Sequence, residues 1–403
     1  MIYDVIVIGA GPAGLFAAAN IKNKKVLIIE KNKTAGKKLL LSGAGQCNYT
    51  NNCEINEFLQ KYGDKGRFIK TALYNFTNHD ALCFFKGKGL NSIVREDNKV
   101  FPSTFKAMDV LNILIDCVKH TEMLFNTPAE KVSYDESKKV FYIKTDTANF
   151  TCRNLIIAVG GKSYPNTGSA GDGYKFAKSL GHSIVDPKPA LTPVYVEGYQ
   201  FKELSGISFE NIKISLFKNN KKAKEFTGDF LFTHVNISGP VIINNSRYMD
   251  AGDVLKVNFT SFNEDEFKVY FEKLILSSSK LSIKTALKRL NLPKRFIEKI
   301  LEISDVDESL SCGMLGKSPR KYLIELFSAH PMKIKKLGDY NIAMSTKGGV
   351  STAEINQKTM ESKKIPHLYF AGEILDYDGD TGGFNIQGAF STAKLAADHI
   401  NNN

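Results

Sequence analysis

Two glycine-rich segments, one at each end of the chain, constrain the fold more than any other feature. The first, residues 4–14, has the sequence DVIVIGAGPAG. The second consists of residues 367–373, HLYFAGE, and residues 381–389, TGGFNIQGA. Each has the pattern of a buried strand, a glycine turn and a helix N-terminus, where backbone N–H groups and the helix dipole bind phosphate. We therefore expect the two ends of the chain to meet around one long dinucleotide, which is more typical of FAD than of a nicotinamide cofactor alone.

The first segment has the GxGxxG spacing in its usual context. Gly9 permits the tight turn, Gly11 lets the backbone approach a phosphate, and Gly14 lets the helix pack close to the strand. The preceding strand is uniformly apolar, as in a parallel strand buried on both faces. A second apolar strand ends at Glu30, 21 residues after Gly9, where a carboxylate accepts hydrogen bonds from ribose hydroxyls. A chance glycine turn beside a solvated glutamate does not explain strand, spacing and acid together.

Composition indicates a globular protein with more than one domain. The chain has 403 residues, of which 43% are hydrophobic. A chain of this length is too long for a single hydrophobic core and usually folds into two or more domains. The apolar run near the N-terminus has no preceding positive charge and is broken by glycines and a proline, unlike a signal peptide. No apolar stretch is long enough to span a bilayer, so we expect a cytoplasmic protein without a membrane partner. The six cysteines have no CxxC or zinc spacing, which predicts reduced thiols and no metal site.

The formal net charge of +12 raises the question of a nucleic-acid partner. Only seven of the 54 basic residues are arginine, whereas bidentate recognition of phosphates or bases favours arginine. The basic clusters at residues 218–224, 284–299 and 333–336 lie outside the dinucleotide segments. We therefore interpret most of them as solvated faces and expect a small-molecule substrate in preference to a nucleic acid. The sequence does not indicate an oligomeric state.

The predicted fold class is α/β, with a Rossmann-like domain built from both termini and an inserted β-barrel-like domain with a helical subdomain. Residues 1–187 and 346–403 are predicted to form the dinucleotide domain. Pro187, Pro189 and Pro193 mark the change of character. Residues 188–262 have strand-like runs, and residues 263–345 complete the insertion as a helical subdomain, with residues 264–335 interpreted as helical.

Motifs along the whole chain resemble one family, the bacterial flavoproteins grouped with BaiN, a bile-acid-associated flavin reductase, and with the aminoacetone oxidases. The matching stretches are residues 36–48, 160–165, 231–240, 347–352, 354–356, 359–362 and 370–389. The resemblance implies FAD, a Rossmann-like FAD domain and an inserted barrel with helices, but no single substrate. One departure is Gln46, where the family usually has arginine. If that arginine contacts a flavin phosphate or a substrate anion, this chain lacks one positive charge there.

The glycine pattern and the resemblance together predict the residues that contact the cofactor. They are Gly9, Gly11, Pro12, Ala13, Gly14, Glu30, Lys31, Lys38, Ser42, Gly43, Gly45, Asn48, Val132, Gly160, Gly161, Gly372, Glu373, Gly382, Gly383, Asn385, Ile386 and Gln387. The start of the final helix, expected at residues 387–400, is predicted to face the flavin ring, with a simple turn into the helix as the alternative. Lys37 and Lys38 either neutralise pyrophosphate or are ordinary surface lysines.

No catalytic residue follows from the sequence. Cys47 is compatible with a redox thiol beside the flavin, but a buried inert thiol is the favoured interpretation because its spacing from Cys53 differs from that of disulfide reductases. His234 is compatible with an acid or base, but a hydrogen-bonded structural histidine is favoured. Residues 231–240, with Asn236, are predicted either to contact substrate where the domains meet or to form a tight turn in the barrel.

We therefore expect an FAD-dependent oxidoreductase that acts on an unidentified small molecule, with NADH or NADPH as a transient second cofactor. The glycines at residues 168–173 precede a helix expected at residues 174–180 but lack a following strand that ends in an acid. A separate nicotinamide domain is therefore not expected. The alternatives are an FAD-dependent tRNA-modifying enzyme, which would explain the charge, and a flavin-binding scaffold without turnover.

Overall fold

The computed structural model describes residues 2–403. The strands are β1 (Ile2–Ile8), β2 (Val26–Ile29), β3 (Thr50–Asn51), β4 (Ser92–Val94), β5 (Lys99–Pro102), β6 (Glu122–Leu124), β7 (Ala129–Asp135), β8 (Val140–Thr145), β9 (Asn149–Ile157), β10 (Ile184–Ala190), β11 (Val194–Val196), β12 (Ser208–Lys218), β13 (Lys221–Phe232), β14 (Ile237–Ser238), β15 (Val254–Asn258), β16 (His330–Leu337), β17 (Ser345–Val350) and β18 (Leu368–Phe370). The helices are α1 (Pro12–Asn20), α2 (Ile55–Gln60), α3 (Gly66–Asn75), α4 (Asn78–Gly87), α5 (Ala107–Cys117), α6 (Asp172–Ser179), α7 (Pro240–Asn245), α8 (Glu264–Ser277), α9 (Ile283–Leu287), α10 (Lys294–Ile303), α11 (Lys317–Ser328) and α12 (Phe384–Asn401).

The chain forms two compact units. The first contains the residues up to Ala190 together with Tyr340–Asn403, and the second is the intervening segment Leu191–Asp339. The chain therefore leaves the first unit after β10 and returns to it just before β17. Each unit has its own cluster of buried apolar side chains.

The first unit is built on a sheet whose strands run in the order β6-β2-β1-β9-β8-β7, with β18 also paired to β9. Strands β6, β2, β1, β9 and β18 are parallel, whereas β7 and β8 pair antiparallel. Residues 5–8 of β1 and 27–29 of β2 are buried in succession, as parallel strands covered by helices require. Strand β9 returns the chain to this sheet, where it pairs with β1.

Two smaller sheets complete the first unit. Strands β3, β5 and β4 pair antiparallel beside the glycine loop at residues 42–47, and β10 pairs antiparallel with β17. Helix α12 begins at Phe384, three residues earlier than expected, and α6 spans Asp172–Ser179, close to the expected residues 174–180. Helices α1 and α12 pack against each other, which brings the two ends of the chain together.

The second unit is a closed barrel in the order β11-β14-β13-β12-β15-β16, with β16 pairing back to β11. This confirms the predicted barrel-like insertion. Helices α8 to α11 come between β15 and β16 in the chain, and apolar side chains from both helices and strands share one core. The buried faces of α10 and α11 show the spacing of three and four residues that an amphipathic helix requires.

The predicted helical segment of the insertion extends too far towards its C-terminal end. We interpreted residues 264–335 as helical, but His330–Leu337 forms β16 of the barrel. Alternate residues of this strand are buried, while Lys333 and Lys335 are exposed, which is the period of two expected for a half-buried strand. The lysines obscured that alternation in the sequence. The helical segment is therefore an insertion between two barrel strands, β15 and β16, and the barrel closes only after this insertion.

Helices long and apolar enough to cross a lipid bilayer do not occur among residues 2–403.

Candidate cofactor and active site

The site residues of the first unit gather where its parallel strands end. The carboxyl end of β1 leads into Gly9, that of β2 into Glu30, that of β9 into Gly160 and that of β18 into Gly372. Because these four strands are neighbours and parallel, their carboxyl ends share one edge of the sheet. This edge is where ligands bind in open α/β sheets. The structure thus brings together segments that are far apart in the sequence.

The three glycines of the first motif have different surroundings. A Cβ atom on Gly9, whose φ is +103°, would lie 2.7 Å from the carbonyl oxygen of Ala158. A Cβ on Gly14 would overlap the carbonyl oxygen of Gly9. Gly9 and Gly14 are therefore required for packing of the turn. By contrast, apart from chain neighbours, no heavy atom of residues 2–403 lies within 4 Å of a Cβ built on Gly11.

The open position at Gly11 lies at the start of α1. Gly11 is the N-cap, Pro12 is the first helical residue and Ala13 is buried. Proline is well suited to this place because the N–H that it lacks would have no partner within the helix. The N–H groups of the first turn and the helix dipole make this end of α1 favourable for an anion. The Cβ position of Gly11 is therefore open at the place where the sequence predicts a phosphate.

Glu30 is held in place by hydrogen bonds from the same turn. Its side chain is 8% exposed. The carboxylate accepts from the Ala10 N–H at 2.8 Å, and from the backbone N–H and Nδ2 of Asn32 at 2.8 and 2.7 Å. A carboxylate has about four acceptor positions, so one further donor, such as a ribose hydroxyl, is compatible with these contacts.

Lys38 belongs to a polar network that joins four segments of the first unit. Its Nζ forms an ion pair with Glu373 and donates to Ser163 Oγ at 2.8 Å. Ser163 Oγ in turn donates to Glu373 Oε1 at 2.8 Å, and the Thr346 N–H donates to the same oxygen at 2.8 Å. A Cβ on Gly161 would press against Thr346 and Glu373. The network fixes the ends of β9 and β18 to the loop before Ser42.

Sequence reasoning missed Ser163 and Thr346 as members of this network. Ser163 stands in the motif at residues 160–165, and Thr346 immediately precedes the motif that begins at Lys347. Thr346 Oγ1 accepts hydrogen bonds from the backbone N–H groups of Lys162 and Ser163 at 2.8 and 3.1 Å. The available signal was that both residues lie in or next to motifs shared with the family. Their partners are distant in the sequence, so these contacts become visible only in the folded structure.

The other lysines predicted near the cofactor are tied to neighbouring loops. Lys31 forms an ion pair with Asp172, in the first turn of α6. Lys37 Nζ donates to Asn32 Oδ1 at 3.1 Å. Gly168 lies close to the side chains of Lys31 and Asn32. The glycines at residues 168–173 thus adjoin the loop that follows β2.

The loop at residues 42–47 is an unusual backbone. Gly43, Ala44, Gly45 and Cys47 all have positive φ, between +55° and +87°. For alanine and cysteine such a conformation costs about 1–3 kcal/mol, and it persists where surrounding structure enforces it. Here the Cys47 N–H donates to the Ser42 carbonyl at 2.9 Å, and Ser42 Oγ donates to the Leu39 carbonyl. These hydrogen bonds hold the backbone of the loop in this conformation.

Two residues at the end of this loop are buried. Asn48 Nδ2 donates to the carbonyls of Thr50 and Val100 at 2.9 Å each, so its side chain fastens the loop to β3 and β5. Burial raises the pKa of the Cys47 thiol to about 12. Burial likewise raises the pKa of Cys53 to about 11, and both cysteines are free thiols. A protonated buried thiol is a poor nucleophile, which supports the inert interpretation of Cys47.

The second glycine segment is packed more tightly than the first. A Cβ on Gly372 would lie 2.9 Å from Cβ of Ala13, so this glycine lets the end of β18 approach α1. Gly382 and Gly383 have φ of +121° and +94°, and a Cβ on Gly383 would overlap the carbonyl of Thr50. Gly383 is the N-cap of α12, with Ile386 half-buried in its first turn.

Two polar side chains of this segment have internal partners. Gln387 is fully buried; its Oε1 accepts from Thr50 Oγ1 at 2.7 Å, and its Nε2 donates to the Phe76 carbonyl and to Ser391 Oγ at 3.0 and 3.1 Å. Asn385 exchanges hydrogen bonds with the backbone of Gly379 at 2.9 and 2.8 Å. These side chains hold the turn before α12, while the backbone N–H groups of its first turn have no partner within the helix.

Val132 and Gly160 complete the predicted set. Val132 is 1% exposed, belongs to β7 and pairs with Ile143 of β8, so its side chain lies in the core. Gly160 follows β9 with φ of +74°, close to Ser169.

In the second unit, the segment at residues 231–240 contains a self-contained turn. Thr233 Oγ1 donates to the Asn236 side chain at 2.6 Å, and the Asn236 N–H donates back to Thr233 Oγ1 at 3.1 Å. Asn236 is 6% exposed, whereas His234 is exposed at the tip. These contacts support the tight-turn interpretation for Asn236.

A positive charge lies beside Gln46 although residue 46 is neutral. The Arg95 guanidinium donates to Gln46 Oε1 at 2.8 Å and lies over the ring of Phe101, 4.1 Å from its centroid. The sequence did not single out Arg95, because 49 residues separate the two positions. Pairing of β3, β5 and β4 is what brings them together.

Comparison with known proteins assigns the chain to a family. The family of the HI0933-like protein Rossmann domain matches residues 3–399. This chain belongs to that family. Its members include the BaiN-type flavin-dependent oxidoreductases, so the resemblance drawn from the motifs is confirmed.

Curated relatives match the HI0933-like chain over almost its whole length. A ribosomal RNA dihydrouridine synthase of Haemophilus influenzae is 32% identical over 399 residues, 97% of each chain. A 3-dehydro-bile acid delta(4,6)-reductase of Clostridium scindens is 28% identical over 400 residues, again 97% of each chain. Among solved structures, the open conformation of a flavocytochrome c3 fumarate reductase has a TM-score of 0.53 at 14% identity, covering 99% of this chain and 78% of that one. That likeness shows the fold alone.

Proposed function

We propose that this HI0933-like protein binds FAD along the carboxyl edge of its parallel sheet. The pyrophosphate would lie at Gly11 and the start of α1, and the adenosine ribose at Glu30. The flavin ring would lie towards the start of α12. The observation that carries this proposal is the open space at Gly11, between two glycines whose own Cβ positions are filled by backbone. When bound, FAD supplies two-electron chemistry that amino-acid side chains lack.

The protein's own groups would bind and orient the cofactor. The first-turn N–H groups of α1 would donate to phosphate oxygens, and those of α12 would face the part of the ring that becomes negative on reduction. Lys38 would contribute a positive charge near the cofactor, with its position fixed by Glu373 and Ser163. No side chain is assigned as a catalytic acid or base.

We further propose that the reaction is reduction of a carbon–carbon double bond conjugated to a carbonyl, with uracil in ribosomal RNA as the substrate. The relative that is 32% identical over 97% of both chains supports this substrate, because a dihydrouridine synthase reduces such a bond in the uracil ring. This substrate departs from the expectation of a small molecule drawn from the sequence, where the arginine-poor basic clusters were assigned to solvated faces; with the rRNA relative, the net charge of +12 suits a polyanionic partner. The reaction would take place in the cytoplasm, add a hydride and a proton across the C5–C6 bond, and draw its electrons from NADH or NADPH.

A steroid with a conjugated ketone is the second candidate substrate. The relative from Clostridium scindens supports it, since its name describes reduction of double bonds in a 3-dehydro-bile acid. Both candidates share the same chemical unit, an electron-poor double bond beside a carbonyl. The two proposals therefore differ in the partner and agree in the type of reaction.

The test combines cofactor content with product analysis. Purified protein should retain FAD, and its flavin absorbance should bleach anaerobically with NADH or NADPH. Incubation with ribosomal RNA that lacks dihydrouridine should then give nucleosides with the mass of two added hydrogens. Reduction of a 3-keto steroid diene with no change in RNA would favour the second candidate, and protein that cannot be loaded with FAD would refute both.

A further inference from the structure

A cluster of one arginine and two aromatic rings stands beside the glycine loop of the first unit. Arg95 follows β4, Phe101 lies in β5 and Phe105 comes shortly after it. The Arg95 guanidinium carbon lies 4.1 Å from the Phe101 ring centroid and 5.4 Å from that of Phe105. The two rings are 5.9 Å apart and tilted by 44°. We call Arg95, Phe101 and Phe105 the arginine–phenylalanine platform.

Two of the three platform residues, Arg95 and Phe105, are exposed. Phe101 is only 4% exposed, but Phe105 is 36% exposed and Arg95 is exposed. Phe105 also has φ of +52°, with its N–H donating to the Pro102 carbonyl at 2.9 Å. A bulky residue rarely adopts this conformation, and the strain is typical of functional positions. The backbone is thus strained at a residue whose ring is not buried.

The platform is continuous with the candidate site. A Cβ on Gly43 would lie 3.2 Å from Cε1 of Phe101, so the Phe101 ring packs against the glycine loop. Arg95 reaches the same loop through Gln46. Two further bonds fasten β5 to the end of the loop: the Tyr49 N–H and Asn48 Nδ2 both donate to the Val100 carbonyl. The platform therefore packs against the glycine loop and is hydrogen-bonded to it.

We propose that the arginine–phenylalanine platform binds an unpaired nucleobase of the RNA substrate, beside the glycine loop. Guanidinium planes and aromatic faces stack on splayed-out bases, and such stacking tolerates any base because every base has a π-face. Arg95 adds a positive charge that complements the RNA backbone, as does the net charge of the chain. The inference rests on the proposed reduction of uracil in RNA and assigns a position on the protein to the bases that surround the target.

The experiment measures binding of a short fluorescein-labelled oligouridylate to FAD-loaded protein by fluorescence anisotropy, at one fixed salt concentration. Phe105→Ala should weaken binding by at least about fivefold, the lower end of the measured range for base–aromatic stacking. Phe105→Tyr keeps the ring and should bind like the wild type. Arg95→Lys keeps the charge but loses the planar group, so it should bind more weakly than the wild type and more tightly than Arg95→Ala.

Two matched controls come from the same unit. Tyr74 is an exposed aromatic residue, 49% accessible, with Lys70 over its ring, and Arg67 is an exposed arginine. Tyr74→Ala and Arg67→Ala should change the Kd by less than about twofold if platform stacking is specific. Flavin absorbance and circular dichroism should be the same for all variants.

The outcomes separate this inference from the proposed function. If the wild type forms dihydrouridine but Phe105→Ala binds RNA equally well, the platform inference is wrong and the proposed function stands. If the wild type neither binds RNA nor forms dihydrouridine, both are wrong. Self-association that disappears in Phe105→Ala, without any effect on RNA binding, would identify the platform as a contact between copies of this chain and would also overturn the inference.

Discussion

The starts of α1 and α12 look alike in the sequence but have different surroundings in the structure. Both helices begin at a glycine after a parallel strand of the same sheet. At Gly11 the position of a Cβ is open. At Gly383 the same position is filled by the carbonyl of Thr50.

This difference shows that a glycine at a helix N-terminus can be required for two separate reasons. Gly11 has φ of −83° and ψ of −175°, which any residue adopts, so only the space beyond it favours glycine. Gly383 has φ of +94° and no space at all, so the fold itself requires glycine there. Ligand binding should therefore be sensitive at the first position, and folding should be sensitive at the second.

The largest expected effect is on stability at the second position. Gly383→Ala should lower the free energy of unfolding by about 3 kcal/mol, because a left-handed φ and an overlap with backbone act together. The matched control is Gly89→Ala, since Gly89 has φ of +87° but no heavy atom of residues 2–403 beyond its chain neighbours within 4 Å of its Cβ position. That control should cost about 1 kcal/mol. Urea denaturation followed by circular dichroism measures both, and equal losses would contradict the overlap argument.

The next prediction tests whether the buried Gln387 side chain of α12 contributes to stability or to cofactor binding. Gln387→Leu should cost about 2 kcal/mol of stability, because the buried Thr50 hydroxyl loses its acceptor. The remaining folded protein should keep its FAD and an unchanged flavin spectrum. Gln60→Leu, at an exposed helical glutamine, is the control and should have little effect. A changed spectrum with unchanged stability would place the Gln387 side chain in the cofactor site instead.

The next largest expected effect is a loss of FAD affinity on substitution of Gly11. Gly11→Leu should weaken FAD binding by at least about tenfold, roughly 1.4 kcal/mol, because the side chain would occupy the space proposed for pyrophosphate. The free energy of unfolding should fall by no more than about 1 kcal/mol, the cost of replacing a favourable N-cap. Gly87→Leu is the control, since Gly87 in α4 also has an open Cβ position among residues 2–403 and no left-handed φ. Titration of FAD into apoprotein measures the affinities, and full retention by Gly11→Leu would refute the proposed pyrophosphate position.

Much of this unit could be predicted from the sequence because its signals are local. The spacing from Gly9 to Glu30 reflects a short βαβ unit, in which helix and strands follow one another directly. The apolar runs predicted β1 and β2, because buried parallel strands need no alternation of polar and apolar residues. The carboxyl edge then followed from the order of these elements.

Other features depend on contacts between distant segments. The ion pair of Lys38 with Glu373 joins residues 335 positions apart, and Arg95 meets Gln46 only because the small sheet folds β5 against the glycine loop. Strand β16 was missed for a different reason. Its lysines resemble the exposed face of a helix, and the structure shows that buried and exposed residues alternate along it. Spacing within a motif predicts backbone geometry, but partners of polar side chains depend on the tertiary fold.

The smallest expected effect comes from Glu30. Its position follows from local sequence spacing, whereas its hydrogen-bond partners are set by the fold. Its carboxylate holds the Ala10 and Asn32 N–H groups and is also the proposed ribose acceptor. In Glu30→Gln one acceptor oxygen becomes an NH2 group facing a donor, so FAD affinity should fall by about fivefold, near 1 kcal/mol. Stability should fall by a similar amount. Asp97→Asn, at an exposed carboxylate after β4, is the control for removing one negative charge. Loss of stability with unchanged FAD affinity would assign Glu30 to the turn alone, and the ligand contacts of the first segment would then reduce to Gly11 and the start of α1.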